Sequence, residues 1–217
     1  KVVSVIGLVM EGTDAGNYVF GAVTLAGQID PKGLEVSGLN AVGRVYDGSR
    51  SVSVTGTATV SGLLAGESAT VTGSPVGELA TAGVGNGISV SVSGLSLSGP
   101  QAGNYRVVAP TLNATITPKA VSVTGLSVVT QTYNGSLSAQ ITGTPVLVGV
   151  VGTDAVSLAG VGVGSFSNKG VGSGKTVSIS GYSLSGDQAD RYQLSEVSAT
   201  AAITAKTVTV SGFDLVK

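Results

Sequence analysis

The sequence predicts an all-β protein built of tandem Ig-like antiparallel β-sandwich domains, an 87-residue repeat strung into an elongated array. Three observations predict it: one spacing aligns the whole chain, apolar residues alternate with Ser, Thr or Gly at a period of two, and no stretch offers a capped helical pattern. Tyr18, Tyr105 and Tyr192 are spaced by 87, as are Tyr46 and Tyr133, and Gly38, Gly125 and Gly212. About 34 of the 87 positions are identical between 32–118 and 119–205, with no insertion, so these are two complete copies of one unit. Residues 1–31 match the last third of a unit and 206–217 match only its first strand. The expectation is a window on a longer array. A period of 87 is too long for a solenoid coil and suits a small, independently folded bead.

Within a unit, seven or eight short strands are expected. In the first copy they fall near 34–38, 41–46, 51–60, 68–73, 76–80, 88–98, 104–109 and 112–117. The stretches "SVSVTGTATV" (51–60), "ISVSVSGLSLSG" (88–99) and "KTVSISGYSLSG" (175–186) show the alternation of a half-buried strand. Val90, Val92, Leu95 and Leu97 should face a core, their register shifted by Gly94, with Ser89, Ser91, Ser93 and Ser96 outward. Gly94, like Gly7 and Gly181, reads as a bulge or bend. Units meet through "IDPKGLEV" (29–36), "ITPKAVSV" (116–123) and "ITAKTVTV" (203–210), which makes Pro31, Lys32, Pro118, Lys119, Ala205 and Lys206 the interdomain joints. Proline fixes its own φ and extends its predecessor. The joints at Pro31 and Pro118 should therefore be stiff, and the one at Ala205 looser.

Composition narrows the function classes. The 217 residues carry a net charge of -1 and no block of Lys or Arg, so the footprint of a nucleic-acid binder is missing. There is no Cys, His or Trp. That removes thiolate and imidazole metal ligands, imidazole bases and disulfides together. No apolar run approaches the roughly 20 residues of a membrane-spanning helix, and no cofactor motif is present. An export signal, if the protein is exported, lies outside this sequence.

Each candidate motif has a structural reading. "VYDG" (45–48) and "TYNG" (132–135) place Tyr46, Asp47 and Gly48 in register with Tyr133, Asn134 and Gly135. Asp-Gly and Asn-Gly are hairpin signals of the type I′ turn. A general base or a metal ligand needs a carboxylate, whereas a turn accepts either residue, so the motif reads as a turn with its tyrosine as an anchor whose hydroxyl meets backbone. "GNY" at 16–18 and 103–105 becomes "DRY" at 190–192, so only Tyr18, Tyr105 and Tyr192 persist, again beside a turn; a sugar-stacking role is the alternative. Glu67 and Asp154 align as acids of a loop, read as surface solvation because no DxDxDG ladder accompanies them. "GVGVGSFSNKGVGSGK" (160–175) lacks the order of a phosphate loop and reads as a glycine-rich connection between strands.

Taken together, "VYDGS", "GVGNGISVSVSGLSLSGPQAGNY" and "ATITPK" resemble the YDG repeat and related MBG-type repeats of very large bacterial exported proteins of filamentous-haemagglutinin type. The likeness covers both complete units and both partial ends. It implies a secreted or cell-surface, outer-membrane-associated, adhesin-like protein with these domains as a structural stalk, and it supplies no catalytic residues. The expected partners are neighbouring repeats of the same chain. Two other classes stay open: a module whose loops or tyrosines bind a glycan or host protein, and a fibre formed when Ser/Thr-rich strand edges of identical chains pair.

Overall fold

The computed structural model describes residues 1–212. Two short strands, β1 (Val2–Ser4) and β2 (Thr24–Ala26), pair antiparallel at the start of the chain. The first complete repeat forms eight strands: β3 (Lys32–Ala41), β4 (Arg44–Val45), β5 (Ser51–Val52), β6 (Val54–Ser61), β7 (Thr70–Leu79), β8 (Gly85–Ser98), β9 (Tyr105–Val108) and β10 (Thr111–Thr117). The second forms the same eight: β11 (Lys119–Val128), β12 (Gln131–Thr132), β13 (Ser138–Ala139), β14 (Ile141–Val148), β15 (Ser157–Phe166), β16 (Gly172–Ser185), β17 (Tyr192–Leu194) and β18 (Val197–Thr204). The stretches expected at 68–73 and 76–80 are one strand, β7, and 51–60 is divided between β5 and β6. Much of the glycine-rich 160–175 segment is strand, in β15 and β16, because glycine still donates and accepts in a ladder.

The alternating pattern is realised in β8. Val90 and Val92 are buried, Leu95 and Leu97 are half-buried, and Ser89, Ser91, Ser93 and Ser96 are exposed. Gly94 has φ +79° and Gly73, opposite it on β7, has φ +92°. A Cβ on Gly94 would run into the Ser74 carbonyl and one on Gly73 into the carbonyl of Gly94. The bend is therefore a crossing made by a pair of glycines, one on each strand, and it recurs at Gly160 and Gly181, where the ladder slips between Gly160 and Val163.

Each repeat contributes a three-stranded and a five-stranded sheet, β6-β3-β9 with β4-β10-β8-β7-β5, then β14-β11-β17 with β12-β18-β16-β15-β13. Registers repeat faithfully. Lys32 opposes Tyr105 as Lys119 opposes Tyr192, and Arg44 opposes Ile116 as Gln131 opposes Ile203. The β1–β2 pair keeps this register too, since Val2↔Ala26 is the ladder Thr176↔Thr200 two periods earlier. The sheets are mixed rather than wholly antiparallel: β3 with β9, β4 with β10, and their counterparts run parallel. The chain leaves the three-stranded sheet for the β7–β8 hairpin and returns by a crossover, which sets the strand direction.

The chain divides into two compact units out of phase with the sequence repeats. Unit 1 comprises Lys1–Asn40, Val54–Val76 and Ser91–Thr111; unit 2 comprises Ala41–Ser53, Gly77–Val90 and Leu112–Lys217. Unit 1 is centred on Leu34, Ala69 and Tyr105. In unit 2, one cluster joins Tyr46, Leu79, Val90 and Ile116 of the first repeat to Val121 and Tyr192 of the second; another gathers Phe166, Val177, Ile179 and Ile203. The layers that share a core thus come from successive repeats. For that reason Pro31 and Lys32 lie inside unit 1 and Pro118 and Lys119 inside unit 2, with both lysines opening a strand rather than bridging two units. Ala205 and Lys206 follow β18 without a strand of their own. Residues 206–212 form none; the rest of the first strand expected there lies outside the described residues. No helix among the described residues is long and apolar enough to cross a membrane.

Candidate functional site

β4 and β5 lie at opposite edges of one five-stranded sheet, yet only residues 46–50 join them. Four strand spacings amount to about 19 Å, and the six steps from Val45 to Ser51 reach roughly 20 Å only at full stretch. The sheet must curl, and the Val42 N–H reaches the Ser53 carbonyl at 2.9 Å to close it. The connecting turn is set by side chains. The Asp47 carboxylate accepts the Ser49 N–H at 2.8 Å, and the Ser49 hydroxyl accepts the Ser51 N–H at 3.0 Å. In the second repeat Asn134 accepts from Ser136 at 2.9 Å and Ser136 from Ser138 at 3.0 Å. Only Gly48 (φ +80°) and Gly135 (φ +77°) enter the left-handed region. The turn is therefore not the expected type I′ hairpin, which needs positive φ at both central residues; it is an Asx turn, for which an acid and an amide serve equally.

Asp47 and Asn134 nevertheless keep different company. Arg44 pairs with Asp47 and also donates to the carbonyls of Val45 (3.2 Å), Ser49 and Ser51 (3.3 Å), so its guanidinium holds the whole turn. At the equivalent place stands Gln131, whose buried Nε2 has no partner among the described residues.

Tyr46 is 2% exposed, and its hydroxyl meets side chains of the following repeat rather than backbone. It donates to Asp154 Oδ2 at 2.8 Å and accepts from Arg191 Nη1 at 2.9 Å. Tyr192 donates to the same Asp154 oxygen at 2.6 Å while accepting the Val151 N–H at 2.9 Å. The two rings meet edge to face at 5.6 Å and 81°, and the Arg191 guanidinium lies 5.5 Å from the Tyr46 centroid. This knot lies wholly inside unit 2. Donation from Tyr192, then from Tyr46, with the Arg191 charge behind them, holds the Asp154 carboxyl below its ordinary range. Burial, seconded by the bond to Asp154, pushes Tyr192 up to about 12. Arg191 is held above its ordinary value, chiefly by its bond to Tyr46. Tyr133, by contrast, is 39% exposed, and its hydroxyl bonds to nothing among the described residues.

Unit 1 carries half of the same arrangement. Tyr105 donates to Glu67 and accepts the Leu64 N–H at 3.1 Å, and that bond to Glu67 raises its pKa above the ordinary tyrosine value. Tyr105 and Tyr192 are each 6% exposed, so neither presents the face a stacked sugar needs; Tyr18 is exposed. Glu67 and Asp154 are not solvated loop acids as expected, because each accepts a tyrosine hydroxyl across a separation of 38 residues. A signal was there: both copies keep an acid at that position and a tyrosine 38 residues on. Gln101 and Gln188, identical across the repeats, likewise accept the N–H of Ser68 (3.1 Å) and Ala155 (2.7 Å). Arg191 had no such signal, since Asn104 stands at its place in the first copy. No group of three or more potential metal ligands occurs among the described residues.

No curated protein and no solved structure matches the chain. The family model of the YDG domain matches twice, over residues 30–113 and 117–202. With its Tyr-Asp-Gly turn and the Tyr-Asn-Gly copy each inside a matched segment, the chain belongs to the YDG domain family and holds two tandem members of it.

Proposed function

We propose that this chain is a structural stalk region of a bacterial secreted or cell-surface, adhesin-like protein, without catalysis or cofactor, in which repeats bear load by locking onto one another. The observation that carries this reading is Tyr46. A turn residue of one repeat is buried in the core of the unit completed by the next, bonded to Asp154 and Arg191 and packed on Tyr192. Shared cores couple the stability of neighbours, as in repeat arrays where interface terms add to intrinsic ones. The burial of Tyr105 and Tyr192 takes two of the three recurring tyrosines out of a glycan-binding reading and leaves it Tyr18 alone, so the stalk reading is the better supported.

Two measurements test the proposal. Antibodies against this chain should label intact cells that make the full-length protein, and the label should vanish after protease shaving; labelling only after permeabilisation would overturn the location. Single-molecule extension should show that Tyr46→Ala lowers the unfolding force of the event assigned to unit 2. An unchanged force would overturn the load-bearing role.

A further inference from the structure

Unit 1 contains a pocket of about 470 Å³ whose lining includes Leu64, Glu67, Asn104 and Tyr105, together with Ile29 and Asp30. Shifted by one period these are Val151, Asp154, Arg191, Tyr192, Ile116 and Thr117, the surroundings of Tyr46. There β4 lies parallel on Ile116 and Thr117, the Tyr46 N–H donates to the Thr117 carbonyl at 2.9 Å, and the hydroxyl reaches Asp154. The pocket in unit 1 therefore offers the counterparts of these contacts: the backbone of the 29–30 segment, which follows β2 without a strand of its own and stands one period before Ile116 and Thr117, the Glu67 carboxylate, and the edge of an already oriented Tyr105. In unit 2 a tyrosine fills this volume; in unit 1 no described residue does.

We propose that this pocket is a socket for the Tyr-Asp-Gly segment of a further YDG repeat. The incoming segment adds as a strand like β4, parallel to Ile29 and Asp30. Its tyrosine ring inserts beside Tyr105, and its hydroxyl donates to Glu67. Main-chain pairing, in which the 29–30 segment extends the line of β2, supplies affinity and the side-chain pocket supplies selectivity, the logic of strand addition. Asn104 in place of Arg191 withdraws the cation from the ring, so recognition falls on the carboxylate and on packing. The inference names a partner that the proposed stalk function leaves open, and it rests on reading the Tyr46 knot as a lock between repeats, a reading that substitutions at Tyr46 and Tyr133 test with no partner present.

The probe is a fluorescein-labelled synthetic peptide of Ala41–Ser53, titrated into the full chain, with amide chemical shifts followed in parallel. Saturable binding with one peptide per chain is expected, with shifts at Leu64, Glu67 and Tyr105. Replacing the peptide's tyrosine by alanine should weaken binding by about tenfold or more, the behaviour of a buried aromatic anchor. Glu67→Ala in the chain should weaken it as well, and Glu67→Gln, which keeps an acceptor, should weaken it less. The proposal is overturned if no saturable binding occurs, if the alanine peptide binds equally well, or if the shifts fall on Asp154 and Tyr192, which would mean exchange with the resident Tyr46. The peptide substitution decides the matter even if Glu67→Ala impairs folding.

Discussion

Tyr46 and Tyr133 occupy the same place in the same turn, and each donates its N–H to the carbonyl of the equivalent β-residue, Thr117 or Thr204. Only what lies over the ring differs. Truncating Tyr46 to alanine empties a site 2% exposed and leaves Arg191 without its hydroxyl partner. Loss of a buried aromatic costs about 3 to 5 kcal/mol, and removal of a hydroxyl bonded to charged groups adds roughly 1 kcal/mol, because Asp154 retains Tyr192. Tyr133→Ala removes a ring that is 39% exposed with an unbonded hydroxyl, for about 1 kcal/mol. The difference of about 3 to 5 kcal/mol, more than a hundredfold in an unfolding equilibrium, is the contribution of the following repeat. Urea unfolding followed by far-ultraviolet circular dichroism, on the unsubstituted chain and both variants, measures it. Equal losses at the two positions would refute the reasoning, since they would place the value of the tyrosine in its own turn.

Three further outcomes are expected. Gly94→Ala should destabilise by about 3 kcal/mol, from a left-handed backbone and a Cβ pressed onto the Ser74 carbonyl; a midpoint in urea within error of the unsubstituted chain would contradict the paired-glycine crossing. Gln131→Arg with Asn134→Asp should stabilise by about 1 kcal/mol, by removing a buried amide nitrogen that lacks a partner and clamping the second turn as Arg44 clamps the first; an unchanged or lowered midpoint would show the clamp to be idle. The knot should also mark the pH profile. Asp154 is held low, so its contribution is present above the ordinary carboxylate value of about 4 and fades as pH falls through the depressed one. Tyr192 is raised, so its contribution is present below about 10 and fades as pH rises through about 12. Asp154→Asn should flatten the acid limb of a melting-temperature profile, and an acid limb identical to that of the unsubstituted chain would remove Asp154 from the account.

The parts of the fold governed by local pattern were legible in the sequence. Alternation in 88–98 assigned both faces of β8, and the offset of 87 located the two matched domains, because each copy needs the same burial and the same left-handed glycines. What depends on partners far along the chain was not legible. The parallel pairing of β4 on β10 involves two residues of β4, too few to carry a pattern. The assignment of Pro118 to a joint followed from where the sequence repeats; which layers share a core is decided by which apolar faces meet, and those belong to successive repeats. The candidate site was visible as separate marks, Tyr46 in one motif, Tyr192 in another and an acid at 154. Nothing within either motif says that residues 108 and 145 positions apart should meet at one hydroxyl.

The exchange of Asp47 for Asn134 gains its meaning from this wider setting. Asx-turn geometry explains why the exchange is tolerated, since either side chain offers an oxygen to the N–H two residues on. It does not explain why the acid stands in the first copy and the amide in the second. Arg44 does: where the guanidinium gathers the carbonyls of the turn, an acid beside it is stabilised, and where glutamine replaces arginine, a carboxylate would sit without its cation. The two positions differ together, a charged pair in one copy and a neutral pair in the other. The turn therefore needs only an acceptor, whereas the carboxylate belongs to the arginine, and the tyrosine beside it belongs to the neighbouring repeat.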